Sequence, residues 1–244
     1  MNLVLFEPTE LAPPLPRSDP RAQHILTVLR RAVGDEFDVG EVNGPRGKAL
    51  LTAVTPQELH LRFTWDIAHP PPAPLDLIVG LPRPQTARDI LRDATTLGVT
   101  ALHFVRCARS DANYATSSLW SSGEWRRHTL SGAAQAFDTH VPEVSWHQTL
   151  ADTLQEPPRP DGIRVAADNY DTDQAFAALR VTSPTRPVTL WIGPERGWDN
   201  ADRALLDAAG VERRHLGSRV LRTETATVAA LSLIQAIRQR SETP

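Results

Sequence analysis

The stretch Val188-Thr189-Leu190-Trp191-Ile192-Gly193-Pro194-Glu195-Arg196-Gly197-Trp198-Asp199-Asn200 passes from an apolar run, through a turn bracketed by two glycines, to an aspartate. The run is short, β-branched at Val188, Thr189 and Ile192, and bounded by turn residues, which predicts a buried strand. Asp199 is the residue type that caps a helix N-terminus, so a helix is expected to begin at Asn200. A strand, a tight turn and a helix in that order form the repeating unit of an α/β sheet.

Working outward, the same alternation recurs over the last two thirds of the chain. Strands are expected at 75–81, 101–105, 163–167, 188–192 and 212–216, and helices at 86–97, 123–137, 173–179, 200–209 and 225–239. Strands separated by helices predict βαβ units and a mostly parallel sheet buried on both faces. Upstream, 2–6, 36–42, 48–54 and 58–65 are short, partly alternating runs bounded by turns such as Asn43-Gly44-Pro45-Arg46-Gly47. That pattern predicts a small β-rich domain. Residues 20–32 interrupt it, with Ile25, Val28 and Leu29 at helical spacing and Gly34 following as a stop. Between the two regions, Ala68-His69-Pro70-Pro71-Pro72-Ala73-Pro74 cannot continue a helix or a central strand. The expected division is therefore 1–67, a linker at 68–74, and 75–244.

The chain has 244 residues, 41% hydrophobic and 23% charged, a globular composition long enough for one or two cores. A single cysteine, Cys107, excludes an internal disulfide and any multi-thiolate metal centre, and fits a reducing, cytoplasmic setting. No signal peptide and no apolar run of membrane-spanning length is present, so no membrane association is expected. The formal charge of −3 gives no overall positive field, so a nucleic-acid contact would need a local patch.

Ligands of open α/β sheets bind beyond the carboxyl ends of the strands, which directs attention to the loops after Ala167, Ile192 and Leu216. The loop 193–198 has glycines that allow close backbone approach. The second, Leu216-Gly217-Ser218-Arg219-Val220-Leu221-Arg222-Thr223-Glu224-Thr225-Ala226, packs two arginines near a glutamate before the last helix. A bare connecting turn accounts for either loop alone. Two such loops at the strand ends of one sheet point to a binding site, because a connection requires neither the glycines nor the charge. No two glycines are two residues apart, which excludes a G-x-G-x-x-G fingerprint. The eight histidines show no metal-ligand spacing, so no metal is expected, and Cys107 ends an apolar strand where a buried thiol is commoner than a nucleophile.

The two segments W-I-G-P-E-R-G-W (191–198) and L-G-S-R-V-L-R-T-E-T-A (216–226) resemble the paired signature of the RsmE-type 16S rRNA uridine-N3 methyltransferases of the SPOUT superfamily. His24 to Arg30 with Val33-Gly34-Asp35, Ala94 to Val99 and Val141 to Val144 extend the likeness over nearly the whole chain, thinly from 110 to 130. The resemblance implies an N-terminal PUA-like β-barrel that binds RNA, a C-terminal SPOUT domain with a trefoil knot, a homodimer, and S-adenosylmethionine as methyl donor. It implies that Ile192, Gly193, Pro194, Glu195 and Gly197, with Leu216, Gly217, Val220 and Leu221, hold the cofactor. Arg222 and Glu224 become the catalytic candidates, positioning the base and stabilising its anion, with Glu224 a candidate base. Arg30, Arg31, Arg46, Lys48, Arg83 and Gln135 are the candidates for contacting ribosomal RNA or the assembled small subunit.

The chain departs from the pattern at Asp93, Thr96, Ala134, Asp138 and Arg196, which replace a cation, a carboxylate, a glutamate, an arginine and a glycine. Residues 1–67 carry seven basic and nine acidic side chains, so any basic face there must arise by arrangement. Two alternatives accompany the leading one: a paralogue methylating another RNA site, and a catalytically inactive dimeric RNA-binding protein on the same scaffold.

Overall fold

The computed structural model describes residues 3–66, 72–170 and 172–240. Of the expected linker, 68–71 lie outside the described residues, as do Asn2 of the first expected strand and 241–244 at the end of the second region. The chain forms two compact units, Met1–Pro71 with Ala133–Val141, and Pro72–Gly132 with Pro142–Pro244.

In the N-terminal unit, β1 (Val4–Phe6), β2 (Leu15–Pro16), β3 (Glu36–Glu41), β4 (Arg46–Val54) and β5 (Glu58–Trp65) form a curled sheet in the order β1-β3-β4-β5-β2. Its pairs are antiparallel except β1 with β3. Alternate residues Phe37, Val39, Ala49, Leu51 and Leu59 turn inward onto Phe6 and Ile25, as the period-two pattern requires. The expected helix over 20–32 forms but ends at Val28. Asp19 caps α1 (Pro20–Gln23), and a wider turn over His24–Val28 follows, in which Leu29 N–H donates to His24 O. Arg30 then takes a left-handed φ of 54°, so the helix stops well before Gly34. The segment Ala133–Val141, placed by the sequence reading beyond the boundary, belongs to this unit through hydrogen bonds. Leu3 N–H donates to Ala134 O, Thr139 Oγ1 to Gly44 O and Arg46 Nη1 to Phe137 O.

The second unit is built on β6 (Leu75–Gly80), β7 (Ala101–Val105), β8 (Glu143–Ser145), β9 (Ile163–Ala167), β10 (Val188–Ile192) and β11 (Glu212–Arg214). They run in the order β11-β9-β10-β6-β7-β8 with every pair parallel. The helices are α2 (Pro84–Thr96), α3 (Ser118–Ser121), α4 (Glu124–Ala136, which passes into the first unit at Ala133), α5 (Leu150–Gln155), α6 (Asn200–Ala208) and α7 (Thr223–Arg240). Leu77, Val79, Phe104, Val165, Leu190 and Ile192 are buried on one face of the sheet with Ile90, Leu91, Leu231 and Ile234 of α2 and α7. Ile78, Ala166 and Trp191 are buried on the other with Leu150 and Leu206. Central strands covered on both faces explain their continuous apolar runs.

One expected helix is absent. Residues 173–179 hold only a single tight turn at Phe176–Ala178. The preceding backbone pairs with the chain after β11 instead, His215 N–H donating to Gln174 O and Phe176 N–H to His215 O, while the Phe176 ring is fully buried. Periodicity alone does not register that competing pairing. Among the described residues no helix is long and apolar enough to cross a membrane.

Candidate functional site

The parallel register sets Ile192 and Arg214 beside Ala167, so β9, β10 and β11 all end at the same edge of the sheet. The loops leaving those ends enclose an open cleft of about 170 Å³. Ile192, Gly193, Pro194, Glu195, Gly197, Leu216, Val220 and Leu221 line it, eight residues separated in sequence and brought together by the sheet. Gly217, the ninth cofactor candidate, belongs to the same loop but is not part of the wall. Asp168, Asn169, Tyr170, Arg196, Trp198, Thr223 and Ala226 complete the lining.

The loop after β10 is held tightly. Gly197 adopts a left-handed φ of 65° and its N–H donates to Pro194 O at 2.8 Å. The buried Trp198 indole donates from Nε1 to Ala167 O at 3.0 Å, tying this loop to the end of β9. Beneath it, Gly80 leaves room for Pro194: a Cβ there would lie 2.4 Å from Pro194 Cδ. Glu195 accepts from the Arg83 backbone N–H at 2.8 Å and from its Nε at 3.4 Å. Asp199 caps α6 as expected, accepting from Asp202 N–H at 2.8 Å.

The loop after β11 is positioned by residues that the sequence reading did not single out. Asn169 donates from Nδ2 to Arg219 O at 2.7 Å and to Gly217 O at 3.3 Å, and its Oδ1 accepts from Leu216 N–H at 3.4 Å. Next to it, the Asp168 carboxylate is only 2% exposed and pairs with Arg203 at 2.8 Å and Arg213 at 3.2 Å. A buried carboxylate needs such partners, and losing one would leave an uncompensated charge. Their signal was their place at the end of an apolar strand in a parallel sheet, which marked the loop but not the side chains.

The other candidates are scattered. Arg222 is exposed and Glu224 half-buried in the first turn of α7, and neither has an ion-pair partner among the described residues. They flank Thr223, which lines the cleft, although neither is in its wall. In the N-terminal unit Arg30 and Arg31 are exposed, Lys48 pairs with Asp38 at 2.6 Å, and Arg46 lies over the Phe137 ring while bonding its carbonyl. Gln135 is exposed near the end of α4. Arg83 lies at the start of α2, beside Glu195. Cys107 is half-buried, and desolvation pushes its thiol far above the ordinary range, which suits packing better than nucleophilic chemistry.

The sequence of residues 69–235 matches the model of the RNA methyltransferase domain family. Over 248 aligned residues the chain is 32% identical to the Ribosomal RNA small subunit methyltransferase E of Treponema pallidum, covering 97% of this chain and 91% of that protein. It is 22% identical to Ribosomal RNA small subunit methyltransferase E 1 of Borreliella burgdorferi, covering 94% and 95%. In fold it is similar to the crystal structure of a Ribosomal RNA small subunit methyltransferase E from Neisseria gonorrhoeae bound to S-adenosyl methionine. The TM-score is 0.75 at 23% identity, over 96% of this chain and 97% of that one.

Proposed function

Because the chain belongs to the RsmE-type RNA methyltransferase family, we propose that it transfers a methyl group from S-adenosylmethionine to N3 of a uridine in 16S ribosomal RNA. The observation that carries this reading is the single cleft made by three strand-end loops, with both signature segments in its wall.

The residues present fit that cofactor. Ile192, Leu216, Val220 and Leu221 offer apolar surface for an adenine ring and an aliphatic chain. Gly197 borders open space, with no atom within 4 Å of where a Cβ would stand, so a ligand can approach the backbone of that loop closely. Gly193, Pro194 and Glu195 add to the wall. When bound, S-adenosylmethionine supplies an electrophilic methyl group on a sulfonium centre.

The chain's own residues do the rest. Loops pinned by Asn169 and Trp198 hold the reactants in a fixed geometry. Arg222 donates to the uracil carbonyl oxygens and stabilises the anion left when the N3 proton departs. Glu224, in the first turn of α7 and without an ion-pair partner among the described residues, accepts that proton. In this reading 1–67 is the PUA-like RNA-binding domain, 75–244 the catalytic domain, and Arg30, Arg31, Arg46, Lys48, Arg83 and Gln135 face RNA. The partners are ribosomal RNA or the small subunit and a second copy of the chain, to which the exposed Val220 and Val228 side chains offer apolar surface. A cytoplasmic setting fits that substrate.

The test is incubation of purified protein and S-adenosylmethionine with 16S rRNA from cells lacking the gene, followed by nuclease digestion and mass spectrometry. A methyl group on N3 of one uridine is expected. Transfer to another position would overturn the substrate assignment, and no cofactor binding by calorimetry would favour the RNA-binding scaffold.

A further inference from the structure

Beside the cleft, the C-terminal unit has a second open hollow of about 510 Å³, whose wall includes Arg83, Arg109, Asp111, Tyr114, Glu195 and Arg196. Glu195 and Arg196 belong to both hollows, so the two are separated by a single loop.

The charges in this groove do not cancel. Three guanidinium groups, Arg83, Arg109 and Arg196, face two carboxylates, Glu195 beside Arg83 and Asp111, which accepts from Asn113 N–H and caps the turn at Ala112–Thr116, so positive charge is in excess. Arg109 donates one N–H, from Nη1 to Arg196 O at 2.8 Å, and has no carboxylate partner among the described residues. The exposed Arg196 side chain has none either. Two guanidinium groups with unused donors therefore border one concave surface, and planar guanidinium forks match phosphate oxygens.

The groove also carries an aromatic ring fixed in place. Tyr114 is half-buried against the core of the sheet, its N–H donates to Asp111 O, and its carbonyl accepts from Trp120 Nε1 at 2.9 Å. An anchored ring beside two guanidinium groups that have no carboxylate partner among the described residues is a combination that binds single-stranded nucleic acid, with bases stacked on the ring and the backbone on the cations. The chain's net charge of −3 provides no general attraction for RNA, so affinity must come from local groups of this kind.

We propose that this groove binds the single-stranded RNA segment adjoining the target nucleotide, its phosphates on Arg109 and Arg196 and a base on the Tyr114 ring. The inference rests on the methyltransferase reading for its choice of polymer, since a strand bound here would lie one loop away from the cleft.

The experiment is fluorescence anisotropy with a single-stranded oligoribonucleotide of about ten nucleotides, measured over a range of salt, for the wild type and the variants Arg109→Gln, Arg109→Lys, Arg196→Gln, Tyr114→Ala and Tyr114→Phe. Each glutamine variant should flatten the slope of log K against log salt by about 0.7, the single-strand value for one lost phosphate contact. Arg109→Lys should keep the slope. Tyr114→Ala should weaken binding at least about fivefold, and Tyr114→Phe should not. An unchanged slope in the Arg109→Gln, Arg196→Gln double variant, or no RNA binding by the wild type, overturns the proposal. A parallel wild-type titration with S-adenosylmethionine separates the two readings. Silence there, with the slope effects present, would remove the methyltransferase assignment and leave the groove standing.

Discussion

The side-chain amide of Asn169 donates to the carbonyl oxygen of Arg219 at 2.7 Å, joining the loop after β9 to a loop 50 residues further along the chain. With the weaker contacts to Leu216 and Gly217, one side chain sets the path of a segment whose own backbone has few constraints. Asn169→Ala removes these bonds, each worth about 0.5–1.5 kcal/mol. Affinity for S-adenosylmethionine should fall roughly 5- to 30-fold. Asn169→Asp should cost more, because a carboxylate would face two carbonyl oxygens. Calorimetric titration of both variants checks this, and an unchanged Kd would show that the loop is set elsewhere.

Gly80 and Pro194 give a steric prediction. A methyl at residue 80 would lie 2.4 Å from Pro194 Cδ and 2.6 Å from Pro194 N, so the backbone of the cleft loop would have to move. Gly80→Ala should lower unfolding free energy by about 1–3 kcal/mol, the usual cost of overpacking, and weaken cofactor binding with it. Gly197→Ala meets no atom and should cost only the strain of its left-handed φ, about 1–2 kcal/mol. Urea denaturation of the two variants gives the comparison.

Arg222 and Glu224 are the residues on which the proposed chemistry depends. Glu224→Gln keeps shape and removes the proton acceptor, so single-turnover methyl transfer should slow by about 100-fold or more while the cofactor Kd holds. Arg222→Ala should likewise act on the rate. Full activity in Glu224→Gln would assign the proton to solvent or to the RNA.

Arg21 links Glu10 and Asp19 in the N-terminal unit, at 2.7 Å to each. Hydrogen bonds from its guanidinium hold both carboxyls below their ordinary values of 4.5 and 3.8. The native state thus binds protons less readily than the unfolded chain, so this contribution is complete above the unfolded values and fades as pH falls through the lowered ones. Stability measured by urea denaturation should decline from about pH 5 towards pH 2, and Arg21→Gln should flatten that decline. An equally steep decline in the variant would place the acid sensitivity in other carboxylates.

Elements whose formation depends on near neighbours are legible in the residues themselves. The apolar runs at β6, β7, β9 and β10 have no stable place except inside a sheet covered on both faces, and Asp199 marks the start of α6 because an aspartate there satisfies a free N–H two or three residues on. The cleft loops were legible for the same reason: glycines and charges at strand ends are local features, and the family resemblance rests on those very residues.

Tertiary structure decided what depends on partners far along the chain. Residues 173–179 have helical periodicity, but the pairing of Gln174 and Phe176 with His215 displaces the helix. The helix expected over 20–32 ends at Val28, just before the left-handed Arg30. The roles of Asp168 and Asn169 follow from Arg203, Arg213 and Arg219, which only the parallel register brings near. Hydrogen bonds and ion pairs between distant segments leave no periodic trace in a single sequence, whereas burial of a strand or a helix face does.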